Sequence, residues 1–336
     1  MQTICIIGGG AWGTALAQCA LRAGRDVRLW AREEDVVRTI IERNENVRFL
    51  PGVVLEPGIH ATGDIAEAVT GAEAILLVTP AQHLRAVTHE VAPLADAGAP
   101  LVICAKGIEQ VSGKLMSDVV AEAAPDHPMA VLSGPTFARE VAAGLPTAVT
   151  LASTDEALGN ALVTALGGNR FRPYYADDVI GAEVGGAVKN VLAIAAGIAV
   201  GRSLGDNARA AIITRGFAEM TRLAVARGGR AETLAGLSGL GDLLLTCTSD
   251  QSRNFSLGTR LGGGEPLATI LASREAISEG VTSAPAVRAL ADQLGVDMPI
   301  VRATSAVLHD GADIDETIGS LLARPFTSEH PAGPKI

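Results

Sequence analysis

Lys189 is the residue whose type and setting most need a reason. It lies in EVGGAVKNVLAIAAGIAV (183–200), where Glu183 and Lys189 are the only charges. Burying an unpaired charge costs several kcal/mol or shifts its pKa. On a helix, the neighbours of Lys189 are Ala182, Gly185, Gly186, Leu192, Ala193 and Ala196. Such a face of small residues makes a groove around an ammonium group, or admits a second helix closely; the spacing permits both. Glu183 points elsewhere. The stretch, interrupted by Lys189, Asn190 and glycines, falls short of the ~20 apolar residues a membrane span needs. Only four of the 27 basic residues are lysine (Lys106, Lys114, Lys189 and Lys335). Lysine can tune its pKa and release a proton, which arginine in practice cannot. Histidine is absent between His127 and His309, so a proton carrier in this half falls to Lys189; His83, after the strand ending at Val78, lies near the cofactor edge and is read as incidental.

A second constellation opens the chain. ICIIGGGAWGTALA places Gly8, Gly10 and Gly13 in G-x-G-x-x-G spacing between a strand and a helix. The first glycine permits the tight turn, the second admits a pyrophosphate to the backbone, and the third lets helix and strand pack. The helix N-terminus adds partial positive charge. A glycine-rich turn alone can be merely structural, but strand, turn, helix and a second strand in this order point to dinucleotide binding. The next strand ends in Leu29-Trp30-Ala31-Arg32, where an NAD site often carries an acid for the ribose hydroxyls; Arg32 can instead meet a 2′-phosphate. This favours NADPH with NAD accepted, although Glu33 and Glu34 oppose it. CAKGIE (104–109) puts Lys106 at the carboxyl edge of a strand, where open α/β sheets bind ligands. GLSGLGDLLLTCTSDQSRNFSLG (236–258) holds Asp242 and Ser252-Arg253-Asn254, an arginine between short donors that suits a phosphate or an ordinary turn.

These residues need a frame. Short apolar runs at Thr3–Ile7, Val27–Trp30, Ala74–Val78, Leu101–Cys104, Met129–Leu132 and Thr147–Leu151 alternate with helical patterns near 13–23, 33–43, 64–70, 81–94 and 113–123. The alternation predicts an α/β fold: a Rossmann-like, mostly parallel sheet domain (1–178). From Asp178 the strand signals stop, predicting an all-α C-terminal domain over 179–325, then a flexible tail, 326–336. MQTICII has no basic region before its apolar run and reads as a strand, not a signal peptide. Cys5, Cys19, Cys104 and Cys247 have no paired spacing, which argues against disulfides or a zinc site and fits a reducing cytoplasm. A net charge of −10 argues against nucleic acid and anionic membranes as partners.

Together these segments resemble the bacterial-type NAD(P)-dependent glycerol-3-phosphate dehydrogenases. The matching stretches are IIGGGAWGTALA, CAKGIE, LSGPTFAREVAAGLPTAVTLAS, VGGAVKNVLAIAAGI, LGDNARAAIITRGFAEM, GLSGLGDLLLTCTSDQSRN and SEGV. The resemblance implies a homodimeric enzyme; no metal-ligand cluster is evident in the sequence, and a hydride transfer with a lysine acid needs none. It implies reversible reduction of dihydroxyacetone phosphate to sn-glycerol 3-phosphate for glycerophospholipid synthesis. It makes Lys189 the general acid and base, with Asp242 its partner. It assigns Lys106, Gly134, Thr136, Lys189, Asp242, Ser252, Arg253 and Asn254 to the substrate. To the cofactor it assigns Gly8, Gly10, Ala11, Trp12, Gly13, Arg32, Phe49, Lys106, Ala138, Arg253, Ile277 and Glu279.

The chain departs from the family pattern in places. Ala11 and Thr136 stand where serine is common, and NFSLG lacks two arginines often found after Asn254. GRSLGDN replaces a more glycine-rich wording. Two other readings compete. A β-hydroxyacid dehydrogenase would also combine a dinucleotide domain with a helix lysine, but would want a carboxylate site. A non-catalytic dinucleotide sensor would leave Lys189 and Arg253 without a purpose.

Overall fold

The structure, a computed structural model, describes residues 1–273, 278–326 and 328. Its sheet has eight strands: β1 (Thr3–Ile7), β2 (Asp26–Trp30), β3 (Ile59–Thr62), β4 (Ala74–Leu77), β5 (Leu101–Ile103), β6 (Met129–Ser133), β7 (Thr147–Ala152) and β8 (Phe171–Ala176). The order is β3-β2-β1-β4-β5-β6-β7-β8. Every pairing is parallel except β6 with β7. The central strands are continuous apolar runs, and β4 is buried throughout, as a sheet covered on both faces requires. The six strands predicted from sequence are present. The two missed, β3 and β8, are the edges. β3 has four residues, too few to show a period. β8 carries Arg172 and Pro173 on alternating faces, and an edge tolerates such a proline.

After β3 the chain returns to the other side of β1, so the crevice beyond β1 and β4 is the point where the winding reverses. The helices of this half are α1 (Ala11–Arg22), α2 (Glu34–Arg43), α3 (Ile65–Val69), α4 (Leu84–Val91), α5 (Met116–Ala123), α6 (Ala138–Ala142) and α7 (Glu156–Leu166). The pattern expected over 81–94 is α4 flanked by two tight turns; Pro93, which lacks an N–H, lies in the second. The short α6 and α7 were not expected.

The strands then give way to helices, as predicted: α8 (Val179–Gly201), α9 (Gly205–Arg227), α10 (Ala231–Leu234), α11 (Asp242–Thr248), α12 (Arg253–Gly262), α13 (Leu267–Ala272), α14 (Glu279–Gln293), α15 (Pro299–His309) and α16 (Ile314–Leu322). Asp178 caps α8 by accepting the Gly181 N–H at 2.9 Å. The sequence reading of α8 as too short to span a bilayer is corrected: its 23 residues meet that length and hydropathy, but 83% of the apolar window is buried inside the protein. The helices packed on it include α9, α11, α12 and α14.

Glycines bring α12 against α8 at backbone distance. A Cβ on Gly197 would lie 2.2 Å from the Phe255 carbonyl, and one on Gly258 2.1 Å from that of Ile194. Glu183, at the other end of α8, accepts from the Ser117 N–H at 2.7 Å and from its hydroxyl at 2.5 Å. It rivets α8 to the start of α5, and burial pushes its carboxyl up to about 7. Glu219 of α9 caps α15 through the Ile300 and Val301 N–H groups at 2.9 and 3.2 Å. Apart from Phe326 and Ser328, the expected tail lies outside the described residues.

Candidate functional site

The glycine turn fits a dinucleotide on its own backbone geometry. Gly8 has φ +128°, and a Cβ there would meet the Val78 carbonyl at 2.5 Å. One on Gly13 would lie 1.8 Å from the Gly8 carbonyl, whereas Gly10 faces open space. Two positions therefore require glycine for the turn itself, and the third leaves room for a ligand against the start of α1. The Thr79 hydroxyl and the Trp12 indole N–H are buried beside this turn without a protein partner. Ala11, Trp12, Phe49, Val78 and Ala138 are half-buried against one apolar cluster, a surface suited to flat rings. Asn46 was not anticipated. It donates to the Gly9 carbonyl and the Thr14 hydroxyl, both at 2.8 Å, and accepts from the Phe49 N–H at 3.0 Å. It ties Phe49 to the glycine turn. Arg32 is 81% exposed, with its nearest carboxylate contact to Glu33 at 3.4 Å.

A second turn of glycines delivers Asp242 to Lys189. The wide helical turn Leu237–Gly241 precedes α11. A Cβ on Gly239 would lie 2.0 Å from the Leu234 carbonyl, and one on Gly185 of α8 2.4 Å from that of Ser238. The small face around Lys189 thus admits this turn at Gly185, and α12 packs farther along α8, at Gly197 and Gly201. Asp242 is wholly buried. Its Oδ1 accepts from Lys189 Nζ at 2.5 Å and its Oδ2 from Lys106 Nζ at 2.7 Å. Lys189 also donates to the Thr246 hydroxyl at 3.0 Å. Thr246, not singled out from sequence, lies one helical turn beyond Asp242, the spacing that puts two side chains on one helix face.

Two ammonium groups therefore share one carboxylate. Burial lowers the Lys189 pKa from its ordinary 10.5 to about 8; Asp242 opposes this fall and Lys106 adds to it. Lys106 Nζ also donates to the Gly134 carbonyl at 3.1 Å, which accepts from the Thr136 hydroxyl at 3.3 Å. Gly134 has φ +151°, and a Cβ would meet Val149 Cα at 2.9 Å. Lys106, Gly134 and Thr136 thus join the Lys189–Asp242 pair.

The Ser252-Arg253-Asn254 triplet starts α12. Ser252 is its N-cap, accepting the Phe255 N–H at 3.2 Å. Asn254 donates to Asn190 Oδ1 at 3.0 Å and accepts the Gly280 N–H at 3.1 Å, pinning α8, α12 and α14 together. Arg253 acts electrostatically on Glu279, whose pKa burial raises. Glu279, Lys106 and His83 line one small cavity with Thr282 and Ser283, in keeping with the place near the cofactor edge that its sequence context gave His83. Ile277 lies outside the described residues. A depression among Arg288, Arg302 and Arg324 is distant in character: these arginines pair with Asp310, Asp292 and Asp297.

Family models for the N- and C-terminal parts of NAD-dependent glycerol-3-phosphate dehydrogenase match residues 3–159 and 178–319. Glycerol-3-phosphate dehydrogenase (NAD(P)+) of Rhodospirillum rubrum is 60% identical over 97% of this chain and 93% of its own length. That of Caulobacter vibrioides is 58% identical over 98% and 99%. The crystal structure of the Coxiella burnetii glycerol-3-phosphate dehydrogenase, 42% identical, superposes with a TM-score of 0.92 over 96% of this chain and 99% of that one.

Proposed function

Because the chain belongs to the NAD-dependent glycerol-3-phosphate dehydrogenase family, its activity is the NAD(P)-dependent interconversion of glycerol 3-phosphate and dihydroxyacetone phosphate, and we propose that Lys189 is the general acid and base. The carrying observation is an ammonium buried against a fixed carboxylate that it shares with Lys106; burial brings its pKa down to about 8. A group poised near working pH both releases and recovers a proton readily. Bound nicotinamide supplies or accepts the hydride. Lys189 gives its proton to the C2 oxygen during ketone reduction and takes it back in the reverse direction. Asp242 and Thr246 hold Nζ in place, and Lys106 brings positive charge to the same oxygen-rich end of the substrate.

The start of α12 is our choice for the substrate phosphate. Ser252 and Arg253 combine a hydroxyl, a guanidinium and a helix N-terminus. Asn254 orients this start through its bonds to α8 and α14. On the cofactor side we assign the glycine turn with Ala11 and Trp12, then Arg32, Phe49, Ala138, Ile277 and Glu279. NADPH is preferred if Arg32 leaves Glu33 for a 2′-phosphate. We place the division between the cofactor and substrate halves at Asp178. Four buried, unpaired cysteines support a cytoplasmic setting. A homodimer making the sn enantiomer for glycerophospholipids completes the reading.

Lys189→Arg is the test. It keeps the charge but not the acidity, so most turnover should vanish while cofactor fluorescence titrates as in wild type. Near wild-type turnover would remove Lys189 from proton transfer.

A further inference from the structure

Lys106 reaches Asp242 from a segment that is fastened unusually well. Past Gly107 the chain doubles back, with Ile108 bridged to Leu115 and the Glu109 N–H donating to the Lys114 carbonyl at 2.9 Å. Arg85 of α4 grips Glu109 with a two-toothed fork, Nε to Oε1 and Nη2 to Oε2, both at 2.9 Å. Glu109 is 8% exposed, and Arg85 holds its carboxyl below the usual range. Ser112 donates to the same carboxylate, and Arg85 continues to Glu122 of α5 at 2.9 Å. Gln82 donates to the Ile108 carbonyl at 2.8 Å and accepts the Gln110 N–H at 2.9 Å. Gln110 then reaches the Thr282 carbonyl of α14 at 2.7 Å. None of these side chains enters the reaction described above.

We propose that the Arg85–Glu109 ion pair is a positioning device for Lys106. It fixes the doubled-back segment so that the ammonium stays on Asp242 Oδ2 and shares that carboxylate with Lys189. A half-buried bidentate pair is a strong geometric constraint. Gly107, at φ +155° with a Cβ position 2.9 Å from Ala81 Cβ, stands directly between this anchor and Lys106. If the anchor loosens, Lys106 withdraws, Asp242 serves Lys189 alone, and the Lys189 ammonium becomes harder to deprotonate. The groups acting on Lys189 are Asp242 and Cys247 of α11, Lys106 beyond β5, and Glu279 of α14; Glu183, on its own helix, is turned to Ser117.

The sign of the effect identifies the cause. Glu109→Gln deletes an anion and leaves the Arg85 cation paired with Glu122 alone, so field effects alone would lower the Lys189 pKa. Release of Lys106 raises it. The inference rests on Lys106 and Lys189 forming one site, but the test reads a titration, not turnover. Active Lys189→Arg enzyme would therefore sink the acid–base role without deciding this question. With four lysines in the chain, isotope-labelled lysine gives few NMR signals, each assignable by a single Lys→Arg variant. In the wild type the Lys189 signal should titrate near 8. In Glu109→Gln its midpoint should rise by roughly one pH unit, with a single cooperative thermal melt as the check on folding. Arg85→Lys, which keeps both charges and loses only the fork, should move it the same way. A midpoint that stays or falls in whichever variant folds overturns the proposal.

Discussion

Asp242→Asn tests the centre of the site most severely, because one carboxylate serves the buried Lys189 and the part-buried Lys106 ammonium at 2.5 and 2.7 Å. The substitution keeps the shape and one acceptor while deleting the charge. Two unit charges 4 Å apart interact by about 4 kcal/mol at an effective dielectric of 20, equivalent to roughly three pH units. The amide oxygen still accepts a hydrogen bond, so a fall of about two units is expected, from about 8 to near 6. At pH 7.5 the protonated fraction of Lys189 then drops from roughly three quarters to a few per cent. The greater acidity of the remaining ammonium offsets part of this loss, leaving ketone reduction about tenfold slower. The assay is the pH dependence of kcat/KM for NADPH oxidation with dihydroxyacetone phosphate, which reports the enzyme before the ketone binds. Rates should recover on acidification toward pH 6. Breaking a buried pair also costs roughly 3–5 kcal/mol of stability, so the profile is taken well below the variant's Tm. An alkaline limb left near 8 in Asp242→Asn would refute both the shared-carboxylate electrostatics and Lys189 as the titrating acid.

Arg253→Ala should raise the KM for dihydroxyacetone phosphate about ten- to a hundredfold, the worth of a charge-assisted contact, while barely altering the residual rate with unphosphorylated dihydroxyacetone. Equal proportional losses would take the arginine away from the phosphate. Arg32→Ala should weaken NADPH about three- to tenfold and NADH less, because only the former carries a 2′-phosphate and the arginine is exposed; binding titrations giving matched losses would end the case for NADPH. Glu219 binds its proton more tightly folded than unfolded, its pKa raised by burial from 4.5 to about 7. The stability this contributes is full below 4.5 and lost as the pH rises through 7, a change on the order of 3 kcal/mol. Glu219→Gln should flatten that pH dependence in denaturant melts, and parallel curves for the two proteins would show that Glu219 does not titrate there.

The glycine turn and the central strands were readable in sequence because their causes are local: Gly8 and Gly13 have no room for a Cβ, and β4 is apolar on both faces. The edges were not. β3 is too short for a period, and β8 mixes Arg172 and Pro173 into its alternation. The reversal of β7 against β6 follows from where the chain lands, which no property of Thr147–Ala152 encodes. Lys189 stood out by being charged in an apolar helix. The meeting of Lys106 with Asp242, 136 residues away, had no signature beyond the family resemblance. Asn46 had still less, since a buried asparagine bracing a distant turn resembles any loop asparagine until the turn is beside it.

The burial of α8 has a consequence during synthesis. This helix has the hydropathy and length of a membrane segment and is covered by α9, α11, α12 and α14, all of which leave the ribosome after it. For the time needed to make those residues, the nascent chain displays an apolar rod with the lysine still lacking Asp242. Its protection therefore comes from chain made after it, between Gly205 and Gln293. A chain that stops after Gly201 exposes the surface that quality-control factors bind, even though its cofactor half carries every strand of the sheet.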